Sequence, residues 1–247
     1  MKTILITGAT AGFGEAAARK FISGGWYVIG TGRRGDRLKR LQEELGEGFL
    51  PLEIDMRDIG AVDGLADLSA PWNEIDLLLN NAGLAPPTDA LADTDWNRIA
   101  DVIETNVTGL VALTRALLPR LVERKGQIIN LSSVAATYPY KGGAVYAGTK
   151  AFVRQFSLGL RSDLAGTGVR VTSVEPGMAE TEFTIVRTGG DKEASEKLYA
   201  GMNPMTADDL ADLFWWLANL PPHLNINTIE LMPVSQSFAG FTVNREG

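Results

Sequence analysis

Tyr146 and Lys150 stand four residues apart in Val145-Tyr-Ala-Gly-Thr-Lys150, within a stretch of helical periodicity, so both side chains fall on one helix face. A phenol titrating near pH 10 is a poor acid or base at neutrality. An ammonium beside it favours the phenolate and draws that pKa down. The pair is therefore suited to moving a proton. Ser133 precedes it at the end of a Ser-rich strand pattern, where a hydroxyl can hold a substrate carbonyl oxygen. Taken singly, each residue also has an ordinary reading as an exposed lysine, a half-buried tyrosine or a loop serine.

A second constellation lies at the start of the chain. Thr7-Gly-Ala-Thr-Ala-Gly-Phe-Gly14 follows an apolar run and opens a helical pattern. Gly8 permits the tight turn, and Gly12 lets backbone N–H groups approach a pyrophosphate. Gly14 lets the helix lie close to the sheet with its N-terminus facing the phosphate charge. Between strand and helix, this spacing predicts a dinucleotide site formed by Gly8, Thr10, Gly12, Phe13 and Gly14. A fold that prefers NAD carries an acidic residue about 20 positions further on, whereas this chain has Thr31-Gly-Arg-Arg34. Arg33 and Arg34 suit a 2′-phosphate by charge and by bidentate hydrogen bonding, which favours NADP(H). Asp36 is expected to cap a helix starting at Arg37, and Asp55 to touch the adenine edge.

Positioning these groups requires strands that end where they sit. Short apolar runs at 3–7, 26–31, 49–54, 75–80, 126–131, 169–174 and 225–231 are bounded by Gly, Pro, Asn or Asp, as strands buried on both faces would be. Helical patterns at 13–23, 37–45, 95–124, 145–164 and 207–220 alternate with them. The expected fold is α/β: a single doubly wound, Rossmann-type domain over 1–247, with a parallel seven-stranded sheet and helices on both faces. The stretch of about 176–205 breaks the alternation at the carboxyl end of a strand and reads as a substrate lid.

Composition removes several function classes. There is no cysteine and only one histidine, His223, which excludes thiolate chemistry and His-rich metal sites. A net charge of −7 argues against nucleic-acid binding. No signal-peptide core and no apolar run of membrane-spanning length is present, so a cytoplasmic chain is expected.

Beyond these readings, the chain resembles a short-chain dehydrogenase/reductase over essentially its whole length. The resemblance is carried by Thr7–Gly14, Asn80-Asn-Ala-Gly83, Asn106 in Glu-Thr-Asn-Val-Thr-Gly, Ser133, Tyr146-x-x-x-Lys150 and Pro176-Gly177. It implies Tyr146 as general acid/base and Ser133 as the group that orients and polarises the carbonyl. It implies Lys150 on the nicotinamide ribose, lowering the tyrosine pKa, and Asn106 holding a water that links Lys150 to solvent. Asn81, Ala82 and Gly83 would border the cofactor, with Pro176 and Gly177 leading to Thr181 at the carboxamide. Ser133 rather than Ser132 has the family's spacing to Tyr146.

Within the family the chain is similar to the NADP-dependent 3-hydroxy acid (serine and allo-threonine) dehydrogenases, through Thr7–Gly14, Lys150-Ala-Phe-Val-Arg-Gln-Phe156 and the stretch 223–234. It is also similar to the sulfoacetaldehyde reductases, through the loop 179–188. Both groups imply a small anionic aldehyde or hydroxy acid as substrate. Arg187 is the first choice for the substrate anion and Arg154 the second, with Tyr138 and Tyr140 as pocket walls. The family also implies a homotetramer, and Phe238 and Phe241 in the tail are expected to pack on a neighbouring subunit or near its site.

Overall fold

The structure is a computed structural model that describes residues 1–187 and 190–238; within these, the side chains of residues 186, 187, 192 and 194–196 are not described. The elements, in chain order, are β1 (Thr3–Thr7), α1 (Gly12–Ser23), β2 (Tyr27–Gly32), α2 (Gly35–Leu45), β3 (Phe49–Glu53), α3 (Ile59–Asp63), β4 (Leu77–Asn80), α4 (Trp96–Ile103), α5 (Leu110–Glu123), β5 (Gln127–Leu131), α6 (Ala144–Asp163), β6 (Arg170–Pro176), α7 (Glu182–Arg187), α8 (Lys192–Tyr199), α9 (Ala207–Ala218) and β7 (Thr228–Leu231).

The seven strands form one sheet in the order β3-β2-β1-β4-β5-β6-β7, every pairing parallel. All seven expected strands are present. Every residue of β1, β4 and β5 is buried, and alternation along them feeds two cores. Ile4, Ile6, Leu77 and Leu79 join Phe21 and Phe214 on one side of the sheet. Leu5, Leu78 and Ile128 join Leu113, Leu117 and Leu121 on the other. Burial of both faces is what makes these runs continuously apolar rather than alternating.

Strand order reverses at β1, which pairs with β2 on one side and β4 on the other. Such a switch point opens a crevice at the carboxyl ends of the strands. The side chain of Asn81 closes the floor of that crevice. Its amide donates to the carbonyl oxygens of Thr7 (2.8 Å) and Gly8 (3.3 Å), while the Thr7 hydroxyl accepts from the N–H groups of Asn81 and Ala82 (3.0 and 2.9 Å).

Two local expectations are corrected. Asp36 does not cap α2: the helix begins at Gly35, and Asp36 lies in its first turn, paired with Arg40 at 3.0 Å. The stretch 95–124 is not one regular helix, because π-helical turns over Glu104–Gly109 separate α4 from α5. Gly109 sits in that segment because a Cβ there would lie 2.2 Å from the Met56 carbonyl oxygen. The segment between β6 and α9 contains α7 and α8 and is tied back by a bridge between Ala179 and Met205.

Candidate active site

Gly8 adopts φ +72° and Gly12 φ +54°, the left-handed backbone that favours glycine, so the turn from β1 into α1 has the form the spacing predicts. A Cβ on Gly14 would stand 2.3 Å from the Gly8 carbonyl oxygen and 2.6 Å from the Asn81 amide. Gly14 thus lies beneath the turn and sets its height, while Gly8, Thr10, Gly12 and Phe13 line the cavity above it. The small α1 residues Ala16, Ala17 and Ala18, all buried, keep the helix against the sheet.

That cavity, of about 820 Å³, runs from Arg33, Arg34 and Asp55 past the glycine turn to Ser133, Tyr146 and Lys150. Asn81, Ala82, Gly83, Pro176, Gly177 and Thr181 also line it, as do Tyr138 and Tyr140. Its volume and lining suit a dinucleotide. There is a polar end rich in arginine, a waist of glycine backbone too close for larger residues, and a reacting end with three functional side chains. Thr181 faces the turn, its Cβ 3.4 Å from where a Cβ on Gly12 would be.

At the reacting end, α6 carries Tyr146 and Lys150 one turn apart, as expected. Lys150 is buried, and its Nζ donates to the Leu131 carbonyl oxygen at 2.7 Å. Burial disfavours its charge and pulls its pKa down to about 8. The ammonium stands 5.7 Å from the centre of the Tyr146 ring, and the Phe183 ring lies 5.9 Å from it. The two serines are in different situations. Ser132 Oγ donates to the Lys150 carbonyl oxygen at 2.7 Å, tying β5 to α6. Ser133 Oγ accepts from the Ala135 N–H at 3.1 Å and donates over a long 3.4 Å to the Pro176 carbonyl oxygen, and it lines the cavity.

Asn106 lies behind the cavity rather than on its wall. Its Oδ1 accepts from the Leu84 N–H (2.8 Å), and its Nδ2 donates to the Leu84 carbonyl (2.9 Å) and Thr149 Oγ1 (3.0 Å). The π-helical turns bring this amide beside Gly83, where a Cβ would meet Lys150 Nζ at 3.4 Å and Asn106 Oδ1 at 3.5 Å. The absence of a side chain at Gly83 keeps the lysine and the asparagine in one small space.

At the other end, Asp55 is held by Arg57, which also pairs with Asp101, and this keeps the Asp55 carboxyl below its ordinary range. Arg34 donates to Thr10 Oγ1 (2.9 and 3.1 Å) and to Glu182 (2.7 Å). Arg154 is not placed for a substrate anion: it pairs with the buried Glu175 at 3.3 Å and with Thr137. Tyr138 donates to Glu230 at 3.2 Å and lies 4.7 Å from the Phe238 ring. The Arg187 side chain and Phe241 lie outside what is described. Sequence reasoning overlooked Glu182, Arg37 and Arg57. Their partnerships join distant segments or depend on a loop's geometry, and no local pattern signals them.

A parallel sheet with this switch point, glycine turn and Tyr–Lys helix defines a class. The model of the family described as short chain dehydrogenase matches residues 2–190, and the chain belongs to that family. The serine 3-dehydrogenase of Agrobacterium fabrum (strain C58) is 60% identical over 248 residues, covering 99% of this chain and 98% of that protein. The NADP-dependent 3-hydroxy acid dehydrogenase YdfG of Salmonella typhi is 52% identical, covering 98% and 99%. Among solved structures, the closed form of serine dehydrogenase complexed with NADP+ matches with a TM-score of 0.96 at 50% identity, over 99% of this chain and all of that one.

Proposed function

We propose that this protein is an NADP(H)-dependent oxidoreductase that interconverts a short 3-hydroxy acid, such as serine or 3-hydroxypropionate, and its carbonyl form. The observation that carries this reading is one cavity with Arg33 and Arg34 at one end and Ser133, Tyr146 and Lys150 at the other. The names of the relatives, serine 3-dehydrogenase and NADP-dependent 3-hydroxy acid dehydrogenase, support it.

In this reading Gly8, Thr10, Gly12 and Phe13 hold the pyrophosphate, with Gly14 beneath them. Arg33 and Arg34 hold the 2′-phosphate, and Asp55 the adenine edge. Asn81, Ala82 and Gly83 border the middle of the cofactor, and Pro176, Gly177 and Thr181 its carboxamide. When bound, the nicotinamide supplies or accepts the hydride. Tyr146 gives a proton to the carbonyl oxygen as negative charge develops there, and takes it back in the reverse direction. Ser133 donates a hydrogen bond to the same oxygen. Lys150 holds the nicotinamide ribose and favours the phenolate. Asn106, fixed by Leu84 and Thr149, holds the water through which Lys150 exchanges protons with solvent. Arg187 is assigned to the substrate carboxylate on its charge and its place after β6, with Tyr138 and Tyr140 as walls.

A steady-state comparison of kcat/KM with NADPH tests the substrate class, using malonic semialdehyde, sulfoacetaldehyde and a neutral aldehyde of similar size. Serine and 3-hydroxypropionate are run in reverse with NADP+. Malonic semialdehyde is expected to exceed the neutral aldehyde by about a hundredfold, the scale of a lost charged contact. A preference for sulfoacetaldehyde transfers the assignment to a sulfonate aldehyde reductase, and a preference for the neutral aldehyde discards the anion site. For the cofactor, Arg33→Ala with Arg34→Ala weakens NADPH far more than NADH; equal losses contradict the 2′-phosphate assignment.

The same proposal includes a cytoplasmic homotetramer. Its support is Phe152 on α6, 39% exposed and stacked on Phe156 with ring centres 5.8 Å apart, on an element the family uses for assembly.

A further inference from the structure

Glu182 opens α7, between Thr181, which faces Gly12, and Phe183, which faces Tyr146. Its carboxylate is bound by two arginines from the opposite side of the crevice. Arg37 donates through Nη1 (2.7 Å) and Nη2 (2.9 Å), and Arg34 through Nη1 (2.7 Å). Arg34 is itself braced on Thr10 Oγ1, so the contact runs from α7 through Arg34 to the glycine turn. These hydrogen bonds, Arg37's first, hold the Glu182 carboxyl down to about 2, so it stays ionised at any working pH. Less than a third of the Glu182 side chain is exposed, against a third or more for each arginine.

We propose that Glu182 is a positioning residue. Its clamp on Arg37 and Arg34 fastens the segment after β6 to the adenosine end of the site, and thereby sets Thr181 over the glycine turn and Phe183 against Tyr146. Two neighbours of one anchored residue face the two ends of the cavity, so a single ionic contact fixes both. A fork of two hydrogen bonds from Arg37 with a third from Arg34 sets direction as well as distance. Arg37 does not line the cavity, so its charge is committed to the clamp rather than to a ligand. Arg34 is shared between the clamp and the proposed 2′-phosphate site, whereas Arg37 serves the clamp alone, so loss of the Arg37 fork is expected to loosen NADPH and NADH alike. The inference rests on the proposed cofactor site, but the clamp itself exists in the cofactor-free protein and is tested there first.

The test uses Glu182→Gln and, as an independent variant that spares Arg34, Arg37→Gln. Amide hydrogen exchange of α7 in the cofactor-free protein is expected to quicken about tenfold in both, and the double variant to add little to either single one. Stopped-flow fluorescence is expected to show NADPH and NADH each released about tenfold faster, the measure of one lost partly exposed ionic clamp. Unchanged exchange in α7 overturns the clamp. Tighter binding of NADPH with NADH unchanged overturns it differently, by making Glu182 a competitor of the 2′-phosphate. Failure of the arginine assignment is seen separately, in Arg33→Ala with Arg34→Ala, where α7 exchange is not the readout.

Discussion

Ser132 and Ser133 are adjacent and chemically identical, yet their surroundings give them different work. Ser132→Ala removes the hydroxyl that ties β5 to the Lys150 carbonyl. It is expected to cost about 1 kcal/mol in urea unfolding with kcat kept within a few-fold. Ser133→Ala leaves the Ala135 N–H without its acceptor, so it too is expected to cost about 1 kcal/mol, and it is expected to lower kcat by about 10²- to 10³-fold, as loss of a donor to a developing oxyanion does. A large loss of kcat in Ser132→Ala with kcat kept in Ser133→Ala would exchange their roles. Lys150 makes a prediction in pH. Its folded pKa of about 8 lies below the ordinary 10.5, so between those values the folded chain binds fewer protons than the unfolded one. Stability contributed at this position therefore rises with pH across that window. The difference in unfolding free energy between the natural protein and Lys150→Met should rise from pH 8 toward 10.5; a flat difference contradicts a buried, desolvated ammonium. At this scale the sequence shows residue types and spacing, which is why Tyr146, Lys150 and the glycines were legible. It does not show hydrogen-bond commitments, such as the pairing with Glu175 that occupies Arg154, the second choice for the substrate anion.

Elements determine which of those residues meet. Gly14→Ala places a Cβ 2.3 Å from the Gly8 carbonyl, so either α1 or the turn must move. It is expected to cost about 1–3 kcal/mol and to weaken NADPH, measured by thermal unfolding and fluorescence titration. Retention of both properties would show that the close approach is not required. At α7, Glu182 has a folded pKa of about 2 against an ordinary 4.5, so the stability its clamp supplies is present above pH 4.5 and lost as pH falls toward 2. After allowance for solvent screening this is worth about 1 kcal/mol, and the stability gap between the natural protein and Glu182→Gln should close over that range. The seven strands were legible because burial on both faces leaves uninterrupted apolar runs. The break between α4 and α5 was not, because the 95–124 pattern is helical on both sides of it and the partners of the π-helical turns, Met56 against Gly109 and Leu84 on Asn106, are distant in sequence. The clamp joins residues 145 and 148 positions apart, which leaves no periodic trace.

At the scale of the molecule, the parallel sheet brings the carboxyl ends of its strands to one crevice, so a chain with motifs scattered from Gly8 to Thr181 forms one cavity. No helix among the described residues is long and apolar enough to cross a membrane. Assembly is the prediction at this scale. Light scattering should give four times the chain mass, and Phe152→Glu should shift the population to smaller species; a monomer in the natural protein contradicts the proposed tetramer. In the proposed mechanism, proton transfer runs through one oxygen atom, the phenol of Tyr146. Tyr146→Phe removes it and keeps the ring beside Phe183 and Lys150. Single-turnover oxidation of NADPH by malonic semialdehyde should then slow by about 10²-fold or more, with NADPH affinity kept within a few-fold. Turnover equal to that of the natural protein, with the cofactor bound normally, would contradict the assignment of Tyr146 as the proton donor.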